Sequence, residues 1–350
     1  MTRILTLHSQ TPEPDLINQA AAEIISGNLV AFPTETVYGL GANALNTQAV
    51  SRIFEAKGRP YHDPLIVHLA SVNELSNVAI EIPAIAYKLA DVFWPGPLTL
   101  ILQKQQDLPN NITAGLNTVA VRVPSHPVAL ALLQASGVPI AAPSANRFGH
   151  TSPTTAAHVM DDLADRVELI LDAGPTTIGV ESTVLDITRT PYKILRPGGV
   201  TREAIEKLIG SVEIRNMKAK DSVEIKDMAQ PSPGLLSKHY TPRAKLILCN
   251  GSETEALEKL TKLAQTYIDR LQKVGLLLAN EDMQYFKNIP CSHYPLGASK
   301  DLEQIARVLY AGMRMLDNED VEVILTRDFG KHGLGLAIYD RLSRASSQII

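Results

Sequence analysis

The sequence is poor in cysteine and in long apolar runs, and each shortage excludes a class of protein. Only two cysteines occur in 350 residues, Cys249 and Cys291, so a disulfide framework and a CxxC zinc site are excluded. No run of about 18 apolar residues predicts a membrane span. The first ten residues lack the apolar core of a signal peptide. We therefore expect no membrane association and a cytoplasmic location.

Positive charge and aromatic rings are also scarce. The 33 Lys and Arg residues are outnumbered by 37 Asp and Glu residues, which gives a formal net charge of −4. Proteins that bind nucleic acid are usually basic, and single strands are commonly held by aromatic side chains, which form only 5% of this sequence. These shortages argue against a general nucleic-acid-binding protein, although a local basic patch stays open.

Proline is scarce only in the last part of the chain. Of the 22 prolines, 20 lie at or before Pro242, and only Pro290 and Pro295 follow. The charged stretch before Pro242 has few large apolar residues, which is typical of a linker. A chain of this length suits two domains. We therefore predict a first domain over residues 1–210, a linker over 211–243 and a C-terminal domain over 244–350.

Apolar runs alternate with amphipathic stretches in the first domain. Residues 15–26 carry apolar side chains at helical spacing, and Thr47 is placed to cap a second, shorter helix. The alternation predicts an α/β domain with a twisted mixed sheet. Its strands are expected at residues 29–32, 65–69, 98–102, 118–123, 139–142, 168–171 and 183–187.

The C-terminal domain has a simpler pattern. Three strands alternate with three helices, which is typical of a smaller Rossmann-like α/β domain with a parallel sheet. The strands are expected at 244–250, 274–280 and 321–327, and the helices over 253–271, 302–316 and from about 336. No motif in this domain points to a reaction.

Standard nucleotide-binding signatures are absent or out of place. The sequence has no GxxxxGK[ST] loop. Residues 39–44, GLGANA, fit the loose dinucleotide pattern GxGxxA, but the preceding predicted strand ends seven residues earlier and no helix opens at Gly41. We therefore do not interpret this segment as a Rossmann fingerprint.

Polar side chains instead follow several predicted strands of the first domain. The carboxyl ends of strands are where α/β sheets bind ligands. The segment 33–44, PTETVYGLGANA, combines hydroxyls with a glycine-rich turn, and an ordinary tight turn is its alternative interpretation. The hydroxyl and amide side chains in question belong to Thr34, Thr36, Ser144, Asn146, Ser152 and Ser182.

Three isolated sets of basic residues accompany them. Lys57 and Arg59 either close a helix or bind a phosphate chain through a point charge and a planar fork. Arg122 stands in an apolar strand, where it requires an anion, either a structural carboxylate or a substrate. His68 is either a core histidine or a site residue. Arg196 is another isolated cation, in the segment LRPGG.

No Ser–His–Asp order, pair of catalytic carboxylates or metal-ligand cluster stands out in the sequence. The candidate site contains anion and hydroxyl binders but no evident strong nucleophile or base. Such a site is typical of catalysis by positioning and charge neutralisation, as in nucleotidyl or phosphoryl transfer.

Taken together and in order, these segments resemble the YrdC/Sua5 family. The resemblance covers nearly the whole chain, and its second half matches the longer, Sua5-type members. Each piece is weak alone, but the set is specific. The segments are PTETVYGLGANA, KGRP, DPLIVHL, WPGPLTL, TVAVRVP, APSANRFG, GVESTV, LRPGG, SPGLLSKHYTP and GLGLAIYDRLSRA.

Membership of this family implies L-threonylcarbamoyladenylate synthase activity, a nucleotidyl transfer. The substrates would be L-threonine, bicarbonate or CO2, and ATP, with Mg²⁺ accompanying ATP. The product, threonylcarbamoyl-AMP, would be passed to downstream transferase proteins that make the t6A modification of tRNA. The resemblance implies no resident metal site and leaves open whether the chain binds tRNA directly.

The resemblance also implies roles for particular residues. Lys57 and Arg59 would be catalytic and would contact the ATP phosphates. The other ATP-binding residues would be Asp63, Thr118, Ser144, Asn146, Ser152, Arg196 and Tyr240. L-threonine would be bound by Thr36, His68, Arg122 and Ser182, with Arg122 on its carboxylate.

The end of the predicted linker would close over the site as a lid. His239 and Tyr240 match the family's HY pair there. Many relatives carry tyrosine where this chain has Ser237, which puts any lid contact through that position in doubt.

Two alternatives belong to other classes. An RNA-binding or regulatory module is electrostatically compatible with the local cations, because related first domains have been linked to double-stranded RNA. A carbamoyl transferase of the hydrogenase-maturation type would contain a similar domain, but its acylphosphatase and zinc-finger modules are missing from this sequence.

Overall fold

The chain divides into two units, each built around its own sheet. The computed structural model describes residues 1–215, 229–234 and 240–350. The first unit contains the described residues of 1–148 and 152–237, and the second contains those of 149–151 and 238–350. The predicted domain limits at residues 210 and 243 stay a prediction.

A mixed sheet of twelve strands forms the described part of the first unit, and both parallel and antiparallel pairs occur in it. The strand order is β1-β9-β2-β3-β8-β4-β7-β6-β10-β11-β12, with β5 paired to β6. The strands are β1 (Arg3–Thr6), β2 (Val30–Phe32), β3 (Gly39–Asn43), β4 (Ile66–His68), β5 (Ala79–Ile80), β6 (Leu98–Lys104), β7 (Thr118–Arg122), β8 (Ile140–Ala141), β9 (Leu169–Asp172), β10 (Thr183–Asp186), β11 (Lys193–Arg196) and β12 (Glu213–Ile214).

Helices and apolar clusters complete this unit. One cluster joins α1 and α4 to β2 and β9, and a larger one joins the other helices to the sheet. Helix α1 buries Ile17, Ala20, Ala21 and Ile24, an apolar stripe at helical spacing, which is why the sequence predicts it well. The helices are α1 (Pro14–Ile25), α2 (Thr47–Lys57), α3 (Ala84–Phe93), α4 (Pro127–Ser136), α5 (Ala156–Leu163) and α6 (Arg202–Ile209).

Two local predictions in this unit are wrong. Helix α2 is capped by Asn46, whose side chain accepts from the N–H groups of Gln48 and Ala49, so Thr47 is the first helical residue. The expected glycine-rich turn is in large part strand β3. Gly41 lies in this strand, and a Cβ at this position would lie 2.7 Å from the Phe32 ring. The glycine is therefore required for close packing and not for a turn.

The second unit has the parallel sheet that the sequence predicts, and its strands lie in the order β15-β14-β16-β13-β17. The short edge strands β15 and β17 were not predicted, because their residues lack a continuous apolar run. The strands are β13 (Lys245–Cys249), β14 (Val274–Leu278), β15 (Ser292–Pro295), β16 (Val323–Arg327) and β17 (Gln348–Ile349), and the helices are α7 (Glu253–Asp269), α8 (Leu302–Asn318) and α9 (Gly335–Ala345).

The predicted fold class is therefore confirmed: a mixed α/β unit and a second unit with a parallel sheet. A search of the described residues found no helix with both the length and the apolar character that a membrane span requires.

Candidate active site

Polar site residues of the first unit lie where strands end. β4 and β7 are parallel neighbours, and their register places His68 opposite Arg122, each the last residue of its strand. The turn that contains Thr36 follows the end of β2. Ser144 follows β8 and forms a bridge with Gly39 at the start of β3. These ends supply the side chains of the candidate site.

Arg122 is buried and every nitrogen of its guanidinium has a protein partner. Nε donates to the carbonyl of Gly96 at 3.1 Å, and Nη1 donates to Oγ1 of Thr36 at 3.0 Å. Nη2 lies 2.6 Å from Oε1 of Glu35, a carboxylate that is buried as well. Thr36 and Arg122, which are both predicted to bind L-threonine, are thus in direct contact, and Arg122 has a counterion within the protein.

His68 is buried beside this group and is neutral. Its ring lies edge-on to Phe32, with the ring centroids 6.3 Å apart. Burial, together with the positive charge of Arg122, lowers the pKa of His68 to about 3. Its Nδ1 atom is buried and has no hydrogen-bond partner among the residues that the structure describes.

Lys57 closes helix α2 and joins it to the loop after β8. Its Nζ donates to the carbonyl of Ser144 at 2.5 Å and to the carbonyl of Asn146. The predicted nucleotide residues Lys57, Ser144 and Asn146 are therefore brought together. Burial, with a smaller contribution from the charge of Arg59, holds the pKa of Lys57 well below its usual value. In the described ranges, no carboxylate forms an ion pair with Lys57, although the negative charges of Asp162 and Asp63 oppose the lowering of its pKa.

Arg59 and Asp63 form a second buried pair. Nη2 of Arg59 lies 2.9 Å from Oδ2 of Asp63, and the guanidinium also donates to the carbonyls of Asp63 and Pro64. Burial raises the pKa of Asp63, and the nearby Arg59 charge opposes that shift. The two predicted residues are adjacent, and the carboxylate orients the guanidinium.

Arg196 links the two predicted subsites. Its Nε and Nη2 donate to the carbonyl of Ser182 at 3.2 and 3.0 Å, and Nη2 also reaches Oγ of Ser182 at 3.2 Å. Oγ of Ser182 lies 2.8 Å from Oγ1 of Thr99. Gly198 allows this close approach, because a Cβ there would lie 2.3 Å from the carbonyl oxygen of Glu181.

Ser152 is fully buried and donates to Oε1 of Glu181 at 2.5 Å. Since Glu181 directly precedes Ser182, this hydrogen bond places Ser152 close to Ser182, a residue that is predicted to bind L-threonine. Ser152 is predicted to bind ATP, and it thus lies close to Ser182, which is predicted to bind L-threonine.

Part of the predicted linker packs against the nucleotide residues. Nη1 of Arg196 donates to the carbonyl of Pro233 at 3.4 Å. Ser232 is fully buried, and its hydroxyl has no hydrogen-bond partner in the described part of the chain. Thr118 and Ser232 both line a small recess beside Pro64. This contact is what a lid segment requires.

The remaining predicted residues lie elsewhere. Tyr240 belongs to the second unit, where its buried ring packs against Tyr310 and the guanidinium of Arg341. His239 and Ser237, named in the lid prediction, lie outside the described residues.

Two site glutamates were missed by the sequence analysis. Glu35 and Glu181 lie between the hydroxyl residues that were singled out, in PTET and GVEST. A charged residue in a turn is usually solvated, so the sequence favoured no role for either. The available signal was the acidic residue within each hydroxyl-rich motif, together with the need of Arg122 for an anion.

The arrangement can bind anions and orient them, because its cations are buried and held by carbonyls and carboxylates. Among the described residues, no group of three histidine, cysteine, aspartate or glutamate side chains could hold a metal ion.

Comparison with known proteins identifies the class. Residues 22–198 match the Sua5/YciO/YrdC family, described as telomere recombination. Residues 200–347 match the family described as the C-terminal domain of threonylcarbamoyl-AMP synthase. The chain belongs to the Sua5/YciO/YrdC family, which confirms the resemblance predicted from the motifs.

Individual relatives span nearly the whole chain. Threonylcarbamoyl-AMP synthase of Pyrococcus abyssi is 45% identical over 349 residues, which are 99% of this chain and 98% of that protein. The Bacillus subtilis enzyme of the same name is 45% identical, over 94% of this chain and 92% of its own. The crystal structure of P. abyssi Sua5 complexed with L-threonine superposes with a TM-score of 0.92, at 45% identity and 99% coverage of both chains.

Proposed function

We propose that this protein is a threonylcarbamoyl-AMP synthase, which forms threonylcarbamoyl-AMP and diphosphate from L-threonine, bicarbonate or CO2, and ATP. The observation that carries the proposal is the pair of buried cationic sites in one unit: Lys57 has no carboxylate in ion-pair contact among the described residues, and Arg122 lies at a strand end. Relatives with this name, 45% identical over nearly the full length, support it.

The nucleotide side is assigned to the residues around Lys57. A buried ammonium without a carboxylate partner is stabilised when a phosphate supplies the missing negative charge. Arg59, oriented by Asp63, and Arg196 add planar forks that suit phosphate oxygens. Ser144, Asn146, Ser152 and Thr118 complete the ATP-binding set as hydrogen-bonding groups.

The threonine side is assigned to the residues around Arg122. The guanidinium binds the substrate carboxylate, and the hydroxyls of Thr36 and Ser182 orient the amino acid. His68 stays neutral, so it contributes a hydrogen bond without adding charge. The L-threonine bound to P. abyssi Sua5 supports an amino-acid site in this fold.

The chemistry requires positioning more than a protein nucleophile. The amine of threonine adds to CO2 and loses its proton, which gives a carbamate. A carbamate oxygen then attacks the α-phosphorus of ATP, and the bond to the β-phosphate breaks as diphosphate leaves. The protein cations neutralise the charge that develops on the phosphates. Mg²⁺ enters with ATP as part of the substrate.

Further roles follow from this assignment. Residues 231–234 act as a lid on the nucleotide, which the contact of Pro233 with Arg196 supports, and the role of Tyr240 in ATP binding stays a prediction. The product is consumed in the cytoplasm by transferase proteins that modify tRNA.

Product analysis tests the proposal directly. The full chain is incubated with ATP, L-threonine and bicarbonate, each omitted in turn, and diphosphate release is followed together with mass spectrometry of the adenylate. We expect release that requires all three, with the mass of threonylcarbamoyl-AMP. The exposed Lys207 provides a matched control, since Lys207→Ala should retain this activity while Lys57→Ala loses it.

Absence of diphosphate release from the folded protein would contradict the proposal. Salt-sensitive RNA binding under the same conditions would then favour the RNA-binding alternative.

A further inference from the structure

Glu35 is a fixed, buried carboxylate in the threonine half of the site. Its side chain is only 7% exposed. The backbone around it is held in place, because the N–H of Ile178 donates to the Glu35 carbonyl at 2.8 Å and the N–H of Gly179 donates to the Thr36 carbonyl at 3.1 Å. The position of the carboxylate is thus set by the fold.

The carboxylate retains capacity to accept hydrogen bonds. Oε1 forms the ion pair with Arg122, but neither oxygen accepts a hydrogen bond from any described residue. A carboxylate can accept about four hydrogen bonds in total. Buried acceptors are usually satisfied, so these oxygens indicate a ligand that donates.

The charges around Glu35 define that ligand further. Arg122 carries one positive charge, Glu35 one negative charge, and His68 is neutral. A buried ion pair with balanced charges is complementary to a zwitterion, which places its own anion on the cation and its own cation on the anion. A free α-amino acid is such a molecule.

We propose that Glu35 binds the α-ammonium group of the substrate threonine while Arg122 binds its carboxylate. This inference rests on the proposed function, and it adds a selection rule: the site takes an amino acid whose amine is free. The ammonium first loses one proton to solvent, the resulting amine adds to CO2, and a second proton leaves the nitrogen as the carbamate forms. The nitrogen then carries no positive charge, so the attraction to Glu35 ends.

A purely structural role for Glu35 is the competing explanation. In that case the carboxylate only orients Arg122, and its loss weakens every ligand that Arg122 binds. The two roles differ for a ligand that has the carboxylate but no ammonium. The analogue of threonine in which a hydroxyl replaces the α-ammonium group is such a ligand.

The experiment compares these two ligands by isothermal titration calorimetry on the full chain. The wild-type protein should bind threonine about 10- to 100-fold more tightly than the analogue, because a hydrogen bond between charged groups is lost. Glu35→Gln should weaken the binding of threonine by a similar factor and leave the affinity for the analogue nearly unchanged. Glu258→Gln, on an exposed residue of α7, should change neither affinity.

Equal weakening of both ligands in Glu35→Gln would overturn the inference while leaving the proposed function intact. Absence of threonine binding and of diphosphate release in the wild-type protein would remove the proposed function itself, and this inference with it. If Glu35→Gln does not fold, Glu35→Asp retains the charge opposite Arg122 and displaces the carboxylate. The same selective loss of threonine is expected there, and equal loss of both ligands contradicts the inference.

Discussion

Lys57 and Arg122 are both buried cations of the first unit, but their surroundings differ. Nζ of Lys57 is held by two backbone carbonyls and, among the described residues, by no carboxylate. Arg122 has a carboxylate, Glu35, at 2.6 Å. Lys57 therefore has no carboxylate in contact among the described residues, and only the more distant Asp162 and Asp63 favour its charged form, whereas Arg122 has a counterion in direct contact.

This difference indicates which substrate each cation serves. A buried uncompensated cation favours a ligand with excess negative charge, such as a phosphate chain. A balanced ion pair favours a ligand with both charges and none in excess, such as an amino acid. In the proposed assignment, the division of the site between ATP and threonine follows from the neighbours of the cations rather than from the cations alone.

Removal of the charge of Lys57 should have the largest effect on activity. Lys57→Ala is expected to lower kcat/KM for ATP by about 10²- to 10³-fold, because a group that stabilises transition-state charge is lost. Steady-state diphosphate release at varied ATP measures this, with Lys207→Ala as the control. A loss below about threefold would contradict the phosphate role.

Removal of the charge of Arg122 should instead affect the KM for threonine. Arg122→Ala is expected to raise KM for threonine by about 10- to 100-fold, with much less effect on KM for ATP, because a charge-assisted hydrogen bond to the carboxylate is lost. The exposed Arg189 supplies the control, Arg189→Ala. Equal losses for both substrates would remove the assignment. Thermal melting should also fall, since Glu35 is left buried and unpaired.

The neutral state of His68 predicts acid sensitivity of the fold. The folded-state pKa of about 3 lies below the unfolded value of 6.5, so between these pH values only the unfolded state binds the proton. Stability should therefore fall as pH drops from 6.5 towards 3, by up to about 1.4 kcal/mol per pH unit from this group. Urea unfolding at several pH values should give a flatter dependence for His68→Gln. Identical slopes for both proteins would contradict this.

The smallest expected effect is proton uptake at Lys57. Because burial lowers its pKa and a bound phosphate raises it again, ATP binding should take up a fraction of a proton through this group. Calorimetry in buffers of different ionisation enthalpy measures the uptake, and Lys57→Met should abolish that fraction. The same uptake in both proteins would show that Lys57 is already charged before ATP binds.

The sequence predicts the elements whose pattern is local. The stripe of α1 and the apolar runs of β6 and β13 are visible without tertiary structure. β3 was not predicted, because the packing of Gly41 against Phe32 depends on residues distant in the chain. The edge strands β15 and β17 carry too few buried residues to show a pattern.

The candidate site was predictable in its members but not in its pairings. Isolated cations in apolar strands, such as Arg122, and hydroxyls after strand ends indicated anion binding from the sequence. The partners of these cations, Glu35 beside Arg122 and carbonyls beside Lys57, depend on the order β2-β3-β8-β4-β7 within the sheet. Such contacts are set by the sheet order, which local patterns do not specify.

A crystal structure of the protein with L-threonine and a non-hydrolysable ATP analogue tests the central claim most directly. The account predicts phosphate oxygens within hydrogen-bond distance of Lys57 and the threonine carboxylate on Arg122. A threonine carboxylate on Lys57, or a phosphate on Arg122, would contradict it.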